Sequence, residues 1–150
     1  MDQTTILRGH DLFQSLSAED TAALAERASR KNCRRGEIIY RADSPVSHVF
    51  ICLEGKIALE VPDGVVDTVA KGQLFGVAAL IDASRYPTTA RALVPATVLA
   101  IEAKLLRQVL QAHSVFGFHV MSRVAQIYYH RFVQGRVDAV VAPRIAAAAP

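Results

Sequence analysis

Apolar spacing changes period twice along the chain. Between Gly36 and Glu102 the hydrophobic residues fall in short β-rich runs, several of them alternating, and on either side they recur every three or four positions. A period of two places alternate side chains on opposite faces of a strand, and a period near 3.6 aligns them along one stripe of a helix. KIALEV is the cleanest strand, with Ile57, Leu59 and Val61 alternating against Lys56, Ala58 and Glu60. GEIIYR, HVFICLEG and VVDTVA are further strand runs, broken at Asp43-Ser44-Pro45, Gly55 and Pro62-Asp63-Gly64, where turn residues gather. TTARALV and TVLAIE follow, with Pro95 at the turn between them. Connections this short leave no room for crossover helices, so the strands are expected to run antiparallel.

Helices are predicted at both ends. Ser17, followed by Asp20 three residues on, is a helix-start signal and predicts a helix from about Ala18 to Ser29, with Leu12, Phe13 and Leu16 leading in. After Ala103 the helical period returns in AKLLRQVLQAH and then in a longer stretch from about Val115 to Val137. There Phe116, Val120, Val124 and Ile127 recur on one stripe, widened by Met121 and Tyr128. One side of that stripe packs on the strands. The surplus is covered either by the strands or by a second copy of the chain, which would make a homodimer, and the pattern leaves both open. The expected architecture is mainly β with flanking helices: an antiparallel β-roll, jelly-roll-like, with an N-terminal helix and two C-terminal helices. Its expected limits are an arm at 1–11, the domain at 12–138 and a flexible tail at 139–150, where VVAPRIAAAAP carries two prolines and an uncapped alanine run.

Composition narrows the function. A chain of 150 residues with 51% hydrophobic content supplies one core, and a second large domain has no room. The net charge of +3 is small. Its densest run, Arg27, Arg30, Lys31, Arg34 and Arg35, follows the predicted helix and reads as a complement to the helix C-terminus rather than a phosphate-backbone site. No nucleic-acid partner is therefore expected. Two cysteines, Cys33 and Cys52, make no disulfide framework, and no segment resembles a signal peptide or a membrane span. A reduced, cytoplasmic protein without a membrane partner is the expectation. The five histidines lack metal-ligand spacing, and no nucleophile elbow, Walker loop or paired catalytic carboxylates appear. An enzyme is not expected.

The informative stretch is KGQLFGVAALIDASRYPTTARAL. A turn at Phe75-Gly76 opens into a helix-compatible run, Val77, Ala78, Ala79 and Leu80, whose first amides would face outward and favour an anion. Arg85, Thr88, Thr89 and Arg91 supply cationic and hydroxyl donors that would return over the same spot. The order of pieces here resembles the cyclic-nucleotide-binding domain family, in particular the sensor domains of catabolite-activator and fumarate-nitrate type regulators. LFQSLSAED, RRGEIIYRADSP, VFICLEGKIAL, KGQLFG, TTARAL and TVLAIEAKLLRQVL match in order over roughly Leu12 to Phe132, with Gly36, Gly55, Gly72 and Gly76 at the family's turn glycines.

The resemblance implies a sensor whose pocket lies between the Phe75 to Arg91 cassette and the last helix. Cyclic AMP and cyclic GMP are the ligands it suggests. Two departures affect that implication. The family places glutamate after the FG pair, to hold the ribose hydroxyl, and Val77 stands there. It places arginine, to pair the cyclic phosphate, where Tyr86 stands, followed by Pro87. A lost charge-assisted contact of this kind is worth about 1.5–3 kcal/mol. The expected ligand is thus a small anion, a cyclic nucleotide or a substitute, held by Phe75, Gly76, Val77, Ala78, Ala79, Arg85, Tyr86, Thr88, Thr89 and Arg91. Tyr128 would stack on a base or fill an empty pocket. Some relatives of this class bind haem, but none of His113, His119 and His130 is singled out as a ligand. The family's regulators continue into a helix-turn-helix after the long helix, whereas this sequence continues into a short tail after Pro143, so a stand-alone sensor is expected. Its signal would pass to a protein partner or to a second copy. A ligand-free interaction module, or the sensor half of a longer regulator, are the alternatives.

Overall fold

Two helices at the N-terminus begin with the same device, an oxygen-bearing side chain that accepts a free amide of the first turn. Asp2 accepts from the Thr5 amide at 2.8 Å at the head of α1 (Gln3–Gly9). Ser17 accepts from the Asp20 amide at 3.1 Å at the head of α2 (Ala18–Glu26), as the sequence signal predicts. The computed structural model describes the backbone of residues 1–148 and the side chains of residues 1–135. A 3-10 turn, Asp11–Phe13, links α1 to α2 and buries Leu12 and Phe13. α1 lies in the segment read as an arm, because seven residues hold too few apolar repeats to display a period.

The basic run departs from expectation. α2 stops at Glu26, and Ala28–Cys33 forms β1, so Arg30 and Lys31 stand on a strand and not at a helix C-terminus. β1 escapes pattern reading because it is an edge strand that buries only Ala28 and Cys33. Lys31 lies 3.9 Å from Glu37, and Arg27 pairs with Glu102 at 3.1 Å.

Seven further strands complete the roll: β2 (Ile38–Tyr40), β3 (His48–Glu54), β4 (Ile57–Val61), β5 (Gly64–Val69), β6 (Leu74–Phe75), β7 (Thr89–Ala92) and β8 (Ala96–Glu102). They form two antiparallel four-stranded sheets, in the orders β1-β8-β3-β6 and β2-β7-β4-β5. This is the expected antiparallel roll. Gly55 turns β3 into β4 at φ 92°, and a Cβ there would lie 2.7 Å from the Pro95 carbonyl oxygen. Only glycine fits that approach. Asp43 also adopts a left-handed conformation, at φ 66°, as the Asp43-Ser44 turn requires.

β3 reads as a continuous apolar run because both of its faces are buried. Val49 and Ile51 join an aliphatic core shared with the helices, built from residues such as Leu24, Leu99, Leu106, Phe116 and Val120. Phe50 and Cys52 face a second core inside the roll, with Tyr40, Phe75, Tyr86, Cys33 and Val98. Both cysteines are free and buried.

Two helices close the domain, α3 (Ala103–Ala112) and α4 (Ser114–Ala148). Gly117 lets the start of α4 pass close to α3, since a Cβ on it would meet the Leu110 carbonyl oxygen at 2.6 Å. Phe116, Val120 and Val124 are buried against the roll, Ile127 and Tyr128 partly so, and Phe118, Tyr129 and Phe132 are exposed. The tail expected at 139–150 falls partly outside the described residues, and none of its side chains is among them. Among the described residues no helix is long and apolar enough to cross a membrane.

Candidate functional site: the cassette and the cleft beside the last helix

Gly76 takes a left-handed conformation, φ 70°, and directs the chain from β6 into a single 3-10 turn, Val77–Leu80. All four residues of that turn are buried. Ala78 faces the aromatic core, while Val77 and Ala79 face the helical one, so the turn straddles both. Arg107 of α3 donates to the Ala79 carbonyl at 3.1 Å and fastens the turn to the helices.

Tyr86 occupies the space beneath the turn. Its ring stacks on Tyr40 with centroids 4.0 Å apart and an angle of 21°. Tyr40 also stacks against Phe50 and Phe75, at 5.6 Å and 6.2 Å, so four rings fill this end of the roll. The Tyr86 hydroxyl donates to the His48 carbonyl at 2.6 Å and accepts from the His48 and Ser47 amides at 3.0 Å and 3.2 Å. The Tyr40 hydroxyl is engaged by the Thr88 side chain and the Gly76 backbone, and burial pushes its pKa well above the ordinary tyrosine value. Among the described residues no buried side-chain nitrogen or oxygen lacks a partner. The cassette is therefore closed by neutral groups that satisfy one another.

The expected donors are divided by this arrangement. Phe75, Gly76, Tyr86 and Thr88 converge, and Tyr40, which the sequence did not single out, joins them. Arg85 and Arg91 do not reach the interior. Arg85 is exposed and donates to the Asp43 carbonyl at 2.5 Å, because alternation turns it outward where Tyr86 turns inward. Arg91 donates to Glu60 at 3.0 Å and to the Gly36 carbonyl at 2.9 Å, tying β7 to β4 and to the turn before β2. Thr89 accepts from the Ala42 amide at 3.0 Å. Tyr128 is half-buried on α4, with the Arg131 guanidinium 5.7 Å from its ring centroid, and burial raises its pKa.

A cleft of about 580 Å³ opens between the β5 to β6 segment and α4. Val69, Leu74 and Ile127 supply its apolar lining, and Lys56, Gln73, Arg123, Gln126, His130 and Arg131 its polar lining. Arg131 donates from Nε to Asp67 at 2.9 Å in a pair whose side chains are 17% and 26% exposed. Arg123 reaches Asp11 at 2.7 Å and holds that carboxyl below the usual carboxylate range. These two ion pairs fasten α4 to β5 and to the N-terminal 3-10 turn. The sequence reading missed the cleft, since Lys56, Asp67 and the α4 residues are far apart in the chain. One signal was available: Arg123, Gln126, Ile127, His130 and Arg131 share a helix face at three- and four-residue spacing.

Residues 30–113, more than half of the chain, match the family model described as cyclic nucleotide-binding domain. A structure of a putative cyclic nucleotide-binding protein from Geobacter metallireducens is similar, with a TM-score of 0.75 and 29% identity, over 88% of this chain and 99% of that one. The sensor domain of the transcriptional regulator DNR from Pseudomonas aeruginosa gives a TM-score of 0.76 at 19% identity, over 85% of this chain and 94% of that one; this likeness is one of fold. Among curated proteins, Glutaminase 1 from Bradyrhizobium diazoefficiens is 26% identical over 134 residues, covering 87% of this chain. The chain spans only 21% of that protein's length.

Proposed function

The chain belongs to the cyclic nucleotide-binding domain family, as a regulatory sensor domain of the Crp/Fnr type, and we propose that it binds a small anionic ligand between the roll and α4 and signals through α4. The reading is of a cytoplasmic regulatory protein whose output goes to a protein partner or a second copy, not to nucleic acid. Catalysis is no part of it, since the family is regulatory and the glutaminase likeness takes in about a fifth of that protein.

One observation carries the proposal. The cassette interior is occupied by neutral, mutually bonded groups around Tyr86, whereas α4 is fastened by ion pairs that an anion competes with. An anion that takes Arg131 or Arg123 from its carboxylate favours a different position of α4, and a population shift follows from its differential affinity for the two positions. Conventional binding of cyclic AMP or cyclic GMP is disfavoured, because Val77 and Tyr86 stand where a carboxylate and an arginine are expected. Each loss weakens binding by roughly ten- to hundred-fold.

The test is calorimetric titration with cyclic AMP and cyclic GMP of the unmodified chain, of Tyr86→Arg and of the Val77→Glu/Tyr86→Arg double variant, with hydrogen exchange of α4 followed alongside. The expected result is tighter binding by the variants than by the unmodified chain, with exchange in α4 altered on binding. Micromolar binding by the unmodified chain would make it a conventional cyclic-nucleotide receptor. Binding that leaves α4 exchange unchanged would remove the signalling route.

A second reading is a ligand-free dimerisation or protein-interaction module, favoured by the exposed Phe118, Tyr129 and Phe132 on α4. Sedimentation distinguishes it: a stable dimer whose mass and shape no small anion alters supports that reading.

A further inference from the structure

Resting on the sensor reading, we infer that the cleft beside α4 is the ligand site and that it takes a small organic anion, one anionic head on an apolar body, whose head displaces Asp67 from Arg131. The balance of charge in the cleft points this way. Lys56, Arg123 and Arg131 line it against a single acid, Asp67. The Lys56 side chain makes no hydrogen bond or ion pair among the described residues, and Arg131 uses only Nε there, leaving both terminal amino groups open. Asp67 thus acts as a built-in stand-in for the head: a carboxylate already sits where an external one would go. Gln73 and Gln126 add amide groups beside it.

Release of Asp67 costs little, because its other oxygen already accepts the Thr68 amide at 2.8 Å and would keep that partner. The backbone explains how Asp67 comes to face α4. Leu59 of β4 pairs with Asp67, but Glu60 pairs with Val65, so Val66 is an extra residue in β5. Such a bulge re-aims the side chains beside it. Asp67 and Val69 then share the face that lines the cleft. The body of the ligand is set by Val69, Leu74 and Ile127, which a bare inorganic ion would leave uncovered. A volume of about 580 Å³ accommodates an aromatic or short aliphatic group.

The test uses phenyl phosphate and benzoate as anionic probes and benzyl alcohol as the neutral control, with amide shifts mapped by NMR on the whole chain. The expected result is binding of at least one anion, with shifts centred on Thr68, Gln73 and Gln126, and no comparable effect from the alcohol. Arg131→Gln should weaken binding by about tenfold or more and Lys56→Gln severalfold, while Asp67→Asn tightens it. Lys56 is exposed, so its variant reads the cleft even if Arg131→Gln destabilises the chain. The two probes separate a carboxylate from a phosphate head. Equal binding of the alcohol, indifference to both cation variants, or no anion binding even by Asp67→Asn overturns the inference. Shifts centred on Gly76, Val77 and Thr88 instead overturn the cleft assignment alone and leave the sensor reading standing.

Discussion

The cassette and the cleft each span a gap between structural elements with one planar side chain, and they do it with opposite chemistry. Tyr86, 2% exposed, joins the segment before β7 to β3 through three bonds to backbone groups and a ring stack. Arg131 joins α4 to β5 through one bond to a carboxylate that retains access to water. A buried neutral network responds weakly to ionic strength, while an ion pair that is only partly buried is screened in part by salt and open to competing anions. Rigidity and responsiveness are thus assigned to different walls of the same fold.

The sharpest way to break the contrast is to remove Tyr86. Tyr86→Ala should cost about 3–5 kcal/mol in urea denaturation, through the lost stack and the cavity left behind. Tyr86→Phe keeps the ring but strands the His48 amide and carbonyl, for about 1–3 kcal/mol. Gly76→Ala comes next, at about 2 kcal/mol by thermal melting. Its left-handed backbone disfavours a side chain by about 1–2 kcal/mol, and the added Cβ would meet Phe50 at 2.9 Å. Arg131→Gln should cost about 1 kcal/mol at low salt and less at high salt, whereas the Tyr86 variants should show no such dependence.

The smallest effect is the acid response of the Arg123–Asp11 pair. Because Asp11 is held below its ordinary value of 3.8, its contribution is present above that pH and is lost as the pH falls through the lowered value. Asp11 is largely exposed, so solvent screening limits this to about 0.5 kcal/mol. Comparing the acid melting curves of the chain and of Asp11→Asn checks it: the curves should converge at low pH and separate above it.

Much of the fold was legible because the deciding residues carry strong local signals. Ile57, Leu59 and Val61 alternate, Ser17 caps, and Gly36, Gly55, Gly72 and Gly76 all adopt positive φ where turns were expected. β1 and β6 were not legible for opposite reasons: one is a polar edge and the other is two residues long. At the site, the replacement of a charged residue by Tyr86 could be read, but its consequence could not. Whether a tyrosine leaves a vacancy or fills it depends on Tyr40 and the His48 backbone, which reach Tyr86 from other strands. The cleft is further from reach, since a bulge in β5 decides where Asp67 faces and no residue type announces it.

Cys33 and Cys52 give the closed wall a clock. Both thiols lie inside the roll beside the four rings, and burial raises their pKa. Alkylation requires a thiolate in contact with the reagent, so a closed roll leaves both inert. The labelling rate then counts how often the sheets part, and each event reports on the cassette side rather than on α4. Ligands that loosen α4 without opening the roll would leave that rate untouched, which makes two intrinsic sulfur atoms a built-in means of telling the two motions apart.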